Sequence, residues 1–188
     1  MKTNLEILEY KKKLEGFNDT EKYKSEMDFM KKLMDIQPIE KVLDYGCGIG
    51  TMIEYLKRKT EGDVYGYDVY DFFEGNPQPY IRNSYHFTFN KIYFMHSLAH
   101  IPNINYCLER LKDFCEKGTQ IFVLTPNKMW LELQNPEGYK PDKTVVGHFS
   151  SDILIKVFAD NGFKVLMKGQ IGKELKGQHE RLWIAASL

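Results

Sequence analysis

The sequence predicts an α/β fold built on a mostly parallel sheet with helices on both faces. Three observations carry this reading. Apolar strand-like runs alternate with segments of helical periodicity along a 188-residue chain, a length that suits one domain. A glycine loop, Gly46-Cys47-Gly48-Ile49-Gly50, follows the first of those runs and opens a helix. An acid, Asp68, ends the second run, 18 residues beyond Gly50.

In chain order, the first 20 residues are helical in pattern but highly charged. Met27, Phe29, Met30, Leu33 and Met34 recur at helical spacing and should bury one face. Pro38 stops that helix before a strand at 41–45, and 51–59 reads as the helix after the loop. A short β-rich run at 64–67 ends at Asp68, while 69–88 is rich in turn formers and aromatics. An apolar strand follows at 91–95. Ile104, Cys107, Leu108, Leu111, Phe114 and Cys115 then trace one helix face that Gly118 should end. Residues 121–124 form the next strand. Ser150 or Ser151 caps a helix that Asn161-Gly162 terminates, and strands at 163–168 and 181–186 close the chain as a hairpin-like pair.

Composition narrows the function classes. Equal numbers of acidic and basic residues give zero formal charge, which argues against a large basic surface for nucleic acid. The Lys11-Lys12-Lys13 run reads as a solvated helix face. No apolar run is long enough to cross a bilayer, and the N-terminus leads into charged sequence rather than a signal-peptide core, so a cytoplasmic location is expected. The three cysteines lack metal-ligand spacing; Cys107 and Cys115 read as core residues and Cys47 as a loop residue. His96 and His100 are four apart, but with no third ligand evident no metal site is expected.

A parallel sheet binds ligands at the carboxyl ends of its strands, where strand order reverses, and the glycine loop lies there. The loop lets a ligand approach the backbone closely. Its G-x-G-x-G spacing, with Thr51 next, does not meet the G-x-G-x-x-G dinucleotide fingerprint. Asp68 can accept hydrogen bonds from both hydroxyls of a ribose, a geometry suited to any adenosine ligand.

With these residues in place, 42–50 resembles the first motif of the class I S-adenosylmethionine-dependent methyltransferases of small-molecule type, and Asp68 resembles their ribose-binding acid. Residues 89–101 resemble the fourth strand and following loop of that family. Leu111, Gly118, Thr125-Pro126-Asn127, Gly147-His148-Phe149-Ser150 and Gly162-Phe163 continue the likeness, which covers 24–188. Asn90 stands where an Asp is usual and Ala99 where a Glu is common; the third strand is hard to place. The resemblance implies a Rossmann-like three-layer sandwich with a seven-stranded sheet and one antiparallel strand near the C-terminus.

It also implies S-adenosyl-L-methionine as cofactor and a small-molecule acceptor, with no nucleic-acid or membrane partner, in a monomer or homodimer. Asp44, Gly46, Cys47, Gly48 and Gly50 would form the cofactor loop. Asp68 would hold the ribose, Val69 and Tyr70 would border the adenine with Asn83 or Ser84 as its nearest polar candidates, and His96 and Ser97 would lie near the methionine moiety. The sulfonium is already a strong electrophile, so the protein must chiefly align the acceptor and exclude water. A base is needed only if the acceptor loses a proton, and His96, His100 and His148 are the imidazoles available. His100 reads equally as a packing residue, and His148 equally as a helix-end residue. Trp130, Leu131, Leu133, Tyr139 and Phe149 would either line the acceptor pocket or cover the core. Residues 1–23 would form an N-terminal helical cap and 128–148 a substrate lid. Two other readings share parts of this pattern: a catalytically silent module that binds S-adenosylmethionine, and a nicotinamide-dependent oxidoreductase.

Overall fold

The structure, a computed structural model, describes residues 4–68, 87–138 and 145–188. Helix α1 (Asn4–Asn18) is followed by α2 (Glu21–Met34), whose first turn is capped by the Thr20 hydroxyl accepting from the Tyr23 amide at 3.1 Å. α2 turns its Tyr23, Met27, Met30 and Met34 face inward and ends at Asp35 in the left-handed region. Strand β1 (Lys41–Tyr45) leads through the glycine loop into α3 (Thr51–Lys57), and β2 (Asp63–Tyr67) follows.

The chain then crosses to β3 (Phe89–Met95), α4 (Ile104–Leu111), β4 (Cys115–Pro126) and α5 (Lys128–Gln134). Helix α6 (Ser151–Asp160) precedes β5 (Lys164–Leu175) and β6 (Gln178–Ser187). The expected Ser150 cap and Gly162 stop are both present, with the Ser150 hydroxyl accepting from Ile153 and Gly162 at φ +84°.

Six described strands lie in the order β2-β1-β3-β4-β6-β5. β1, β2, β3 and β4 pair in parallel, and β6 runs antiparallel to both of its neighbours. This is the expected α/β class with its single antiparallel strand. The sheet has six described strands rather than seven. Residues 69–86, the stretch where the third strand was hard to place, lie outside the described residues.

Helices cover both faces because β3 is buried along nearly its whole length and must be packed from both sides. On one face Leu43, Ile92, Phe94, Ile121 and Val123 meet Leu108 and Leu111 of α4 and Leu154 and Phe158 of α6. On the other, Val42, Tyr93, Met95, Phe122 and Leu124 meet Met27, Met30 and Met34 of α2 and Met52, Ile53 and Leu56 of α3. Each such fully buried large apolar side chain contributes about 1.5–3 kcal/mol of transfer free energy.

Several boundaries differ from expectation for local reasons. The helix expected to run through Cys115 ends at Leu111, and a 3-10 turn at Lys112–Phe114 delivers Cys115 half-buried at the start of β4 instead of on a helix face. Gly118 therefore lies inside the strand, at φ +94°, and ends no helix. β5 and β6 extend well past the expected ends because they pair with each other through a two-residue turn, Lys176-Gly177. Both turn residues have positive φ, 49° and 75°, the geometry that matches the twist of a tight hairpin. Cys47, read as a loop residue, is in the loop but buried against the α2–α3 core.

The order of strands fixes where a site can form. From β1 the chain goes to β2 on one side and then crosses back to β3 on the other, so strand order reverses between β1 and β3. A crevice opens there at the carboxyl ends.

Candidate active site

A cavity of about 920 Å³ occupies that crevice. This is near the top of the roughly 300–1,000 Å³ range of small-molecule sites. Its floor is Tyr45, Gly46, Cys47 and Gly48 after β1, Tyr67 and Asp68 at the end of β2, and Met95, His96 and Ser97 after β3. α4 and the turn after it supply Tyr106, Cys107, Arg110, Asp113 and Phe114. α1 lies across the opening with Tyr10, Lys13, Leu14, Phe17 and Asn18. Val145, Gly147, His148 and Arg181 close the far side.

The loop is built from backbone geometry that only glycine provides cheaply. Gly46, Gly48 and Gly50 all have positive φ, at 84°, 53° and 78°. Gly46 donates to the Tyr67 carbonyl at 2.7 Å, which ties the loop to the end of β2. A Cβ at Gly46 would lie 2.3 Å from Ser97 Cβ. Ser97 thus packs where a side chain at Gly46 would stand, and Leu14 lies 3.2 Å from where one at Gly48 would begin, so the loop fits here only as bare backbone. Gly48 donates its amide to Asp68 Oδ2 at 2.8 Å, so the acid braces the loop it faces.

Gly50 is the N-cap of α3 and is not on the cavity wall, so its part is to shape the loop. Asp44 is likewise buried beneath the loop rather than exposed in the cavity. Burial pushes its carboxyl up to about 8; the Tyr93 hydroxyl opposes this and the charge of Asp68 adds to it. Val69, Tyr70, Asn83 and Ser84 lie outside the described residues, as does Tyr139.

Among the described residues three imidazoles meet the cavity: His96, His100 and His148. His96 leaves β3 in the left-handed region, φ 60°, a conformation that costs a non-glycine residue about 1–3 kcal/mol. Its amide is pinned to the Leu124 carbonyl at 2.8 Å, and Ser97 Oγ donates to the Tyr45 carbonyl at 2.5 Å. The ring therefore projects at a fixed place between α1 and α2. Phe17 stands edge-on to it at 5.7 Å, and Tyr23 lies 6.2 Å away. Burial lowers His148, and the nearby Lys128 charge lowers it further while Glu132 opposes the shift.

Sequence reasoning missed Glu26 and Arg181. Both are buried: His96 Nε2 lies 2.7 Å from Glu26 Oε2, and Arg181, which itself lines the cavity, has its Nε 2.9 Å from Glu26 Oε1. A signal was present for Glu26, which occupies a position in the apolar stripe of α2 where a solvated acid does not belong. None was present for Arg181, the last of a polar run, Gln178-His179-Glu180-Arg181, at the start of β6. The aromatic lining (Tyr45, Tyr67, Tyr106) was also missed, because topology assembles it from three elements.

Other expectations resolve differently. Trp130 and Phe149 are buried and off the cavity wall, so they cover the core. Leu131 and Leu133 are half-buried and also off the wall. Lys13 faces the cavity, so the lysine run is not wholly a solvated face. Asn90, the departure from an acid, sits at the opposite end of β3. There its side chain accepts from the Lys41 amide at 2.8 Å and donates to Glu116, so that departure does not alter the cavity. Ala99 does border it, and its carbonyl accepts from Val146 at 2.9 Å and Gly147 at 3.1 Å, holding the returning chain. Among the described residues no group of histidines, cysteines and acids is arranged to hold a metal ion. No described helix is long and apolar enough to cross a membrane.

Comparison with known proteins settles the family. The methyltransferase-domain family matches residues 8–168, most of the chain. The chain belongs to this family. No curated protein is detectably similar in sequence, but the fold recurs widely. A S-adenosylmethionine-dependent methyltransferase from Clostridium acetobutylicum ATCC 824 is 12% identical, with 95% of this chain and 98% of that one covered at a TM-score of 0.68. A SAM-dependent methyltransferase from Aquifex aeolicus is 16% identical, covering 94% and 97% at 0.70. Magnesium protoporphyrin IX methyltransferase from Synechocystis PCC 6803, solved with bound SAH, is 16% identical, covering 88% and 83% at 0.61. The methyltransferase domain thus has its glycine loop, its β2 acid and its cavity on one rim of the sheet.

Proposed function

We propose that this methyltransferase domain transfers a methyl group from S-adenosylmethionine to a small molecule bound in the same cavity. The observation that carries this is the crevice whose lining brings together the glycine loop, Asp68 and the imidazoles of His96, His100 and His148. The residues fit the donor. Gly46 and Gly48 present bare backbone on the cavity wall, and Asp68 can take ribose hydroxyls. The Tyr67 and Phe114 rings, 6.5 Å apart on the Asp68 side of the cavity, offer flat surface to a base. When bound, the sulfonium supplies an electrophilic methyl group. The chain's part is to align the acceptor in line with it and to keep water out beneath α1. The end of α1 is tied down for that purpose by Asn18 Nδ2 donating to Thr51 Oγ1 at 2.8 Å. Residues 1–23 serve in this reading as a cap, and 128–148 border the acceptor side through Val145, Gly147 and His148.

Calorimetry with S-adenosylmethionine and S-adenosylhomocysteine tests this directly. A well-folded protein that binds neither at millimolar concentration ends the proposal.

The position of Asp44 adds a pH dependence. A cationic donor above the loop favours the ionised carboxylate, but the donor-free group is protonated below about 8. Donor affinity should therefore rise as pH increases toward 8 and level off above it, with a proton released on binding at pH 7. Asp44→Asn should remove both effects. The raised value also makes a stability contribution that is full at low pH and is lost as pH rises from the carboxylate range through about 8. Chemical denaturation of the donor-free protein should show Asp44→Asn gaining on the wild type at the upper end of that window. A flat affinity profile in the wild type contradicts this role.

His148→Ala should lower acceptor kcat/KM by about tenfold or more, the scale of one lost pocket contact, while leaving donor affinity intact. Equal losses in both would mean that His148 holds the fold of the returning chain rather than the acceptor.

A further inference from the structure

An isolated buried carboxylate is among the costliest groups a fold can carry, so the partners of Glu26 show what it is for. Its two oxygens are divided. Oε2 meets His96 Nε2 at 2.7 Å, and Oε1 meets Arg181 Nε at 2.9 Å. Arg181 Nη1 lies 3.4 Å from Glu180 Oε1, and Glu180 in turn pairs with Lys22. Glu26, Arg181, Glu180 and Lys22 balance one another with His96 neutral. Packing and charge are therefore satisfied without an imidazolium, and His96 is held as a base. Its Nε2 is committed to Glu26. No described residue bonds Nδ1, and the ring borders the cavity. Tyr23 from α2 and Tyr10 and Lys13 from α1 are the other titratable groups facing that part of the cavity.

We propose that His96 Nδ1 is the general base for an acceptor carrying a phenolic hydroxyl, with Glu26 and Arg181 as positioning residues. This rests on the methyl-transfer reading above. A phenol is the acceptor class that fits both sides of the arrangement. Its proton is far closer to imidazole in acidity than that of an aliphatic alcohol, and Phe17 and Tyr23 present ring edges and faces beside His96. In the step, the acceptor O–H bond breaks and its proton moves to Nδ1. The oxygen forms the new bond to the methyl carbon, and the carbon–sulfur electron pair leaves on the donor sulfur. Glu26 stabilises the imidazolium until the proton passes to solvent. Burial by itself would raise the Glu26 carboxyl, but the His96 hydrogen bond and charge, then Arg181 and Lys22, hold it below the usual range and ready for that task. Burial lowers His96, Glu26 opposes the shift, and the Arg181 and Lys22 charges add to it, so the neutral ring is favoured over the imidazolium.

Long-range proton–nitrogen NMR on the full, donor-free chain reads the ring itself. The expected result is a neutral His96 at pH 7 with its proton on Nε2. Glu26→Gln should shift the tautomer toward Nδ1–H, and Glu26→Asp should restore Nε2–H in part. In the same preparations, with S-adenosylmethionine at saturation, transfer to a panel of simple phenols should fall by about 10²–10⁴-fold in His96→Gln, more than any loss in S-adenosylhomocysteine affinity. A ring that is charged or Nδ1-protonated at pH 7 overturns the proposal. So does phenol methylation that survives His96→Gln, or a wild type that binds S-adenosylhomocysteine and methylates no phenol. Failure of the wild type to bind S-adenosylhomocysteine would strike the donor reading instead, and the NMR result would still decide whether Glu26 sets the tautomer.

Discussion

Gly46→Ala is expected to cost about 2–5 kcal/mol of stability and to abolish measurable donor binding. Two terms add. At φ +84° a residue with a side chain pays about 1–2 kcal/mol for the left-handed backbone. The new methyl would also lie 2.3 Å from Ser97 Cβ and 2.9 Å from Ser97 Oγ, an overpacked contact of the kind that costs about 1–3 kcal/mol. Ser97 cannot swing aside freely, because its hydroxyl holds the Tyr45 carbonyl at 2.5 Å. Relief must come from moving the loop, and that displaces Gly48 from Asp68. The two terms can be separated. Ser97→Gly removes the contacting atoms, so the double variant should regain the packing part of the loss and keep the backbone part. Urea denaturation gives the stabilities, and S-adenosylhomocysteine calorimetry gives the binding. A Gly46→Ala protein with the wild-type midpoint and slope would show that the loop is not held as described.

That argument also shows why the loop was legible in the sequence while other parts of the site were not. A positive φ and a missing Cβ can be met cheaply by one residue type, so three alternating glycines report their own geometry. Strand order was legible for a similar reason: fully apolar runs such as Ile121–Leu124 at the centre of β4 have no solvated face and demand cover on both sides. The boundaries that moved lie where partners, not local pattern, decide. Polar residues in the outer half of β5 are strand because β6 pairs with them. Glu26 is the instructive middle case. Its helix was predicted and its burial follows from its place among Tyr23, Met27 and Met30, but its partner His96 lies 70 residues away. Only the return of β3 beside α2 brings them together. Arg181 depends in addition on β6 inserting between β4 and β5, a topological choice that leaves no mark at the residue itself.

Asp68→Ala should weaken donor binding by about 1–3 kcal/mol, or roughly 5- to 150-fold, the usual cost of losing hydrogen bonds to a charged acceptor. This acid has one task seen in the structure and one proposed, and they are separable. One is internal: Oδ2 accepts the Gly48 amide at 2.8 Å, which sets the middle of the loop before any ligand arrives. The other is the proposed grip on the ribose hydroxyls. Asp68→Asn keeps an acceptor oxygen for Gly48 but loses the charge that strengthens a bond from a ribose hydroxyl. If the ribose role is real, the asparagine variant should keep the wild-type melting temperature and still lose donor affinity. The alanine variant should lose some of both. Adenine alone makes no ribose contact, so its weak binding should be reduced in neither variant beyond the change that the loop itself imposes. Equal donor affinity in wild type and asparagine variant would confine Asp68 to bracing the loop.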